Sequence, residues 1–221
     1  MLLQELREKI VEIGNRMVED GVAHGSQGNI SAYDVESGLI AITPSAVPYR
    51  LRKAEDITVI DMDRKIVEGK WRPTSEIALH MIFYKRRKDV KAVVHSHAPH
   101  STVFGVIHES VPSILTEAAL CLTGPVPVAP YFRPGTEEVA ELTYNAMGEN
   151  GAAGILAHHG LVTVAGNLEQ AYDSTMAAET TARIVIMARS MGAKEINLDP
   201  AEAAAMREIY LTKYFAKPLG Q

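Results

Sequence analysis

Apolar residues recur at three- and four-residue steps through Leu3, Leu6, Ile10, Ile13 and Met17, the period of an amphipathic helix, and Gly21 is placed to stop it. After the loop Gly25-Ser26-Gln27-Gly28-Asn29 come four brief, β-rich stretches, 30–33, 39–43, 57–62 and 65–68, separated by turn residues. The turn Asp63-Arg64 predicts that the last two form a hairpin. Pro73-Thr74-Ser75-Glu76 reads as a helix start, with Ile77, Met81 and Tyr84 on one face. The run 90–95 has the continuous apolar character of a buried strand, and a short helix is predicted from Pro99. Strand-like runs follow at 126–131 and 154–158, with a helix opened by Thr136 between them. Asn167-x-x-Gln170 and Asp199-Pro200-x-Glu202 match capping boxes. They predict a long helix to about Met191 and a final one to about Tyr214.

Strands cluster early and in the middle and do not alternate strictly with helices, which disfavours a doubly wound parallel sheet. The expected fold is α/β, a central and mostly antiparallel sheet covered by helices on its faces. No internal repeat, low-complexity tract or linker interrupts the 221 residues, so one domain over 1–221 is expected.

Charge narrows the partners. With 22 Lys+Arg against 27 Asp+Glu the formal net charge is -5, which lacks the basic footprint of a nucleic-acid binder. The dense basic cluster Lys85-Arg86-Arg87-Lys88 falls at the predicted C-terminal end of a helix, where it complements the dipole. The single cysteine, Cys121, excludes an intrachain disulfide. Charges recur every few residues at the N-terminus, and nowhere do about 18 apolar residues run uninterrupted, the length a membrane span needs. A soluble, cytoplasmic protein without membrane contact is the expectation.

Histidine is the strongest chemical signal. His95-Ser96-His97 follows directly on an apolar run. On extended chain, residues i and i+2 point to one face about 6–7 Å apart, so two imidazoles can converge on one ion. A second apolar run ends in His158-His159-Gly160 and can deliver a third imidazole from a neighbouring strand. Three neutral nitrogens with an open position describe a catalytic zinc site; the competing reading is of ordinary, satisfied core histidines. His24, His80, His100 and His108 lack that pattern, although His80 lies four residues after Glu76 and could pair with it on a helix face. Gly25-Ser26-Gln27-Gly28-Asn29, Thr43-Pro44-Ser45 and Thr74-Ser75 are small polar segments of the kind that cradle phosphate. Glu76 follows the third of them and, if it faced a metal, could move a proton.

These signals, in this order, resemble the class II aldolase/adducin family, and within it most closely the aldolases for fuculose 1-phosphate. The likeness spans essentially the whole chain. It rests on Gly25-Ser26-Gln27-Gly28-Asn29-Ile30-Ser31, Ile42-Thr43-Pro44-Ser45, Pro73-Thr74-Ser75-Glu76, Val93-Val94-His95-Ser96-His97, Ala157-His158-His159-Gly160-Leu161, and Ala129-Pro130-Tyr131 with Pro134-Gly135-Thr136. The resemblance implies an α/β/α fold and a homotetramer with active sites at subunit interfaces. It also implies metal ligation by His95, His97 and His159, with Zn2+ favoured and Co2+, Mn2+ or Fe2+ possible. It places a phosphate pocket on Gly28, Asn29, Ser45, Thr74 and Ser75, an acid/base on Glu76, and a C-terminal catalytic tyrosine on Tyr214, with Tyr210 the alternative. The implied reaction is reversible cleavage of a fuculose-1-phosphate-like or 5-deoxyribulose-1-phosphate-like ketose to dihydroxyacetone phosphate and an aldehyde.

The chain departs from the pattern in three places. Ala46 replaces a glycine, Thr116 stands where the fuculose-phosphate aldolases carry tyrosine, and Leu120 stands where the related 4-epimerases carry a catalytic aspartate. Those epimerases also carry aspartate at the place of Glu76. The same fold supports a dehydratase or decarboxylase acting on a methylthioribulose-1-phosphate-like substrate, and a non-catalytic adducin-like module.

Overall fold

The structure, a computed structural model, describes residues 1–213. Eight strands form one sheet: β1 (Asn29–Asp34), β2 (Leu39–Ile42), β3 (Thr58–Ile60), β4 (Ile66–Glu68), β5 (Ala92–Ser96), β6 (Val128–Ala129), β7 (Ala153–Leu156) and β8 (Gly160–Ala165). Their spatial order is β4-β3-β2-β1-β5-β8-β7-β6. Every pairing is antiparallel except β6 with β7. The helices among the described residues are α1 (Gln4–Glu19), α2 (Ile77–Arg86), α3 (Pro99–Ile107), α4 (Thr116–Cys121), α5 (Glu137–Met147), α6 (Leu168–Ser190) and α7 (Pro200–Lys213). This is the expected α/β/α sandwich.

Strand alternation assigns the two faces. Ile30, Ala32, Val94, Ile155 and Leu161 point into one core with Ile10, Ile13 and Met17 of α1, Phe104 of α3 and the small-residue face of α6. Ile40, Ile42, Val93, Val162 and Val164 point into the other, against α2 and α5. The three apolar positions of α1 are wholly buried, and burial of each such side chain stabilises the fold by about 1.5–3 kcal/mol. Thr136 caps α5 and Asn167 caps α6 through their side chains, as the sequence predicted.

One element was not expected. Strand β8, absent from the periodicity reading, lies in the middle of the sheet between β5 and β7. Its run is buried on both faces, so it shows no alternation, and it follows β7 after a three-residue turn that masks the break. No helix among the described residues is long and apolar enough to cross a membrane.

Candidate functional site

The site forms where the ends of β5 and β1, the β7–β8 turn and the start of α2 meet. Register places His95 of β5 opposite Asn29 of β1 on one side and Val162 of β8 on the other. His97 lies two residues on, just past the strand end. His159 comes from the turn between β7 and β8, and it reaches the other two because β8, not β7, is the neighbour of β5. Gly160 permits the approach, since a Cβ there would lie 2.3 Å from the carbonyl oxygen of Ser96 and 3.2 Å from the His95 ring. The strand end is anchored from behind by Glu179 of α6. Its carboxylate accepts from the Ser101 and His100 backbone N–H groups and from the Ser101 hydroxyl, at the first turn of α3.

The three rings stand in a triangle with centroids 4.8–5.2 Å apart. One ligand atom from each lies within 4.8 Å of the others, so the group can hold one metal ion. His95 Nδ1 donates to the Leu161 carbonyl at 3.0 Å, which fixes its tautomer and leaves Nε2 bare. That nitrogen is buried and unpartnered, and so is Glu76 Oε1. Burial first, and neighbouring His95 with it, lowers the pKa of both His97 and His159 to about 4. Both are therefore neutral donors at physiological pH. Orphaned acceptor atoms around neutral imidazoles fit a divalent cation. Of the adjacent pair, His158 turns outward, its Nε2 3.1 Å from that of His108.

Glu76 sits at the N-cap of α2 rather than inside the first turn. Its carboxylate oxygens lie 3.3 Å from His95 Nε2 and 3.6 Å from His159 Nε2. Burial pushes its carboxyl pKa up, the Asn29 amide that donates to it pulls the other way, and the net direction is down. An ionised carboxylate thus faces the triad.

The three small-polar segments do converge. Gly28 adopts φ +79° beside the His95 carbonyl, 2.6 Å from where a Cβ would stand. Thr43 pairs with Ile30, and an isolated antiparallel bridge between Pro44 and Pro73 sets Thr74 beside Thr43 and Ser45 beside Arg72. Thr74 Oγ1 accepts the Glu76 N–H, while Ser45 and Ser75 are exposed. The side-chain amide of Asn29 is already engaged by Glu76 and His80. Ala46 occupies the left-handed region, φ +60°, at a cost of about 1–2 kcal/mol for a residue bearing a Cβ. Ala46→Gly is therefore expected to raise the melting temperature by about 2–4 °C per kcal/mol regained in a chain of this size. Calorimetry reads this, and a lowered temperature would contradict the strain.

Tyr214 lies outside the described residues. Tyr210 is on α7, 5% exposed and 3.5 Å from Asp173, a position that packs it against α6. Thr116 opens α4, exposed, and Leu120 is half-buried on the same helix. Ser31 and Tyr84 are members of the site's buried polar network that the sequence does not single out, and His80, expected to be structural or to pair with Glu76, joins them. The four-residue spacing of Glu76, His80 and Tyr84 was the available signal.

Residues 8–186 match the family described as Class II Aldolase and Adducin N-terminal domain. The chain is 35% identical over 193 residues to 5-deoxy-D-ribulose 1-phosphate aldolase of Bacillus thuringiensis serovar kurstaki, covering 87% of this chain and 89% of that protein. It is 28% identical over 222 residues to the L-ribulose-5-phosphate 4-epimerase UlaF of Salmonella typhi, covering 96% of each. A solved structure of L-fuculose 1-phosphate aldolase superposes with a TM-score of 0.90 at 33% identity, over 96% of this chain and 98% of that one. With a family match across most of its length and the motif residues gathered at one site, the chain belongs to the class II aldolase and adducin family.

Proposed function

We propose that this chain is a metal-dependent class II aldolase that reversibly cleaves a 1-phosphorylated ketose into dihydroxyacetone phosphate and an aldehyde. One observation carries the reading: the Glu76 carboxylate is held 3.3 Å and 3.6 Å from two imidazoles of a metal-binding triad, next to loops suited to phosphate. Similarity to the 5-deoxyribulose- and fuculose-phosphate aldolases supports the substrate class.

His95, His97 and His159 would hold the ion, with zinc the proposed metal. When bound, it would supply Lewis-acid stabilisation of the negative charge that develops on the substrate oxygens. Gly28, Ser45, Thr74 and Ser75, with the backbone of Asn29, would anchor the phosphate through N–H and hydroxyl donors and so fix the carbon chain over the triad. Glu76 would take and return the proton at the carbon that becomes nucleophilic when the bond breaks. Tyr214 would assist at the aldehyde oxygen, taking the hydroxyl proton in cleavage and donating it back in condensation. We further propose a single-domain, cytoplasmic homotetramer with the active site at a subunit boundary. The exposed apolar residues Val103, Val106 and Ile107 on α3 support burial in such an assembly.

The Salmonella relative favours a second reading, 4-epimerisation. Glu76 and Leu120 oppose it, because the resemblance places aspartate at both positions in the epimerases. Incubating metal-replete protein with the 1-phosphates of fuculose, 5-deoxyribulose and methylthioribulose separates the outcomes. Release of dihydroxyacetone phosphate from at least one is expected. Consumption of a ketose without that product, or conversion of ribulose 5-phosphate to its epimer instead, would overturn the aldolase reading.

A further inference from the structure

The buried polar groups do not end at Glu76. Asn29 Nδ2 donates to Glu76 Oε2 at 2.8 Å, and Asn29 Oδ1 lies 2.5 Å from His80 Nε2. His80 Nδ1 lies 2.7 Å from Ser31 Oγ, which in turn is 2.6 Å from the Tyr84 hydroxyl. His80 and Ser31 are 0% exposed, Asn29 4% and Tyr84 6%. Local geometry makes the line: Glu76, His80 and Tyr84 follow one another at i+4 steps along α2, and Asn29 and Ser31 share one face of β1. The helix stripe and the strand pair interleave, so each strand residue bridges two helix residues.

One polarity satisfies all five groups. Tyr84 donates to Ser31, Ser31 donates to His80 Nδ1, His80 Nε2–H donates to Asn29 Oδ1, and Asn29 Nδ2–H donates to Glu76. The opposite polarity would turn Asn29 Oδ1 toward the carboxylate, setting two acceptors face to face where water does not reach, which is costly. His80 must then be neutral with its proton on Nε2. Burial above all, together with neighbouring His95, keeps its pKa down at about 3, in agreement with that state. The line is not a proton wire, because the Asn29 amide interrupts it and an amide N–H does not hand on its proton at neutral pH. Aligned hydrogen bonds do reinforce one another, and every donor here points toward Glu76.

We propose that His80 is a positioning residue: locked in one tautomer by Ser31, it clamps the Asn29 amide so that an N–H faces Glu76 and holds the carboxylate against the histidine triad. The role assigned to Glu76 here rests on the aldolase reading above. A clamp of this kind orients the proton-moving group without touching substrate, so its loss should lower kcat and leave KM and metal content nearly unchanged.

The test compares His80→Phe, which keeps a ring but no donor, with His80→Gln, whose amide can still donate to Asn29. His80→Phe should lower kcat about 10–100-fold, the range seen when a supporting hydrogen bond to a metal site is lost, and His80→Gln should recover most of it. Nitrogen-15 spectra of histidine-labelled native protein should show a neutral Nε2–H ring at pH 7 that is missing from His80→Gln. Unchanged turnover in His80→Phe, a Gln variant as slow as the Phe variant, or a His80 ring protonated on Nδ1 would each overturn the clamp. Should the native protein cleave none of the ketoses, the aldolase reading fails. The ring measurement needs no substrate and then decides the clamp by itself.

Discussion

Glu76→Gln is expected to leave the metal in place and to slow turnover by about 10²–10⁴-fold, the range for removing a general acid/base. The substitution conserves volume at a 9% exposed position and keeps a carbonyl oxygen that can still accept from Asn29, whose bond measures 2.8 Å in the native protein. What it removes is the ability to take a proton. The triad is built from other elements, with His95 on β5 and His159 in the β7–β8 turn, so ligation should persist. Steady-state kinetics beside elemental analysis of the same preparation reads both quantities. A near-native rate would take Glu76 out of the mechanism.

His97→Ala should abolish stoichiometric metal binding, and activity with it. His97 is the cleanest of the three to remove. His95 is wholly buried and donates to the Leu161 carbonyl, so truncating it would leave a buried acceptor unpaired and confuse metal loss with destabilisation. His97 is half-buried just beyond the strand. Unaltered circular dichroism together with less than one metal per subunit is the expected result. Retention of one ion per subunit would show that the ligands are others.

Much of this architecture was legible because local and global signals agree. The helix α1 was readable from Ile10, Ile13 and Met17, and α5 and α6 from the capping side chains of Thr136 and Asn167. Strand β8 was not, since a strand buried on both faces has no period of two to announce it. That omission matters for the site. His159 reaches His95 because β8 lies beside β5, a long-range pairing that spacing along the chain does not encode.

The site shows the same division. His95 and His97 announce themselves as an i, i+2 pair at the end of an apolar strand, and the approach of loops 43–45 and 73–75 became visible once the Pro44–Pro73 bridge joined them. The line behind Glu76 was hidden because it alternates between a helix and a strand. Asn29 and Ser31 carry no sign of the partners that α2 supplies, and His80, which lacks the pattern of the ligand histidines, gives no sign that it bonds Asn29 and Ser31 beside the site.

The most direct measurement is of metal content against activity in protein stripped with a chelator and then titrated with Zn2+. One ion per subunit in the native protein, release of dihydroxyacetone phosphate that vanishes on stripping, and recovery that saturates at one equivalent are the predicted results. Full activity in the stripped protein, or the absence of any stoichiometric ion in active protein, would contradict the account at its centre.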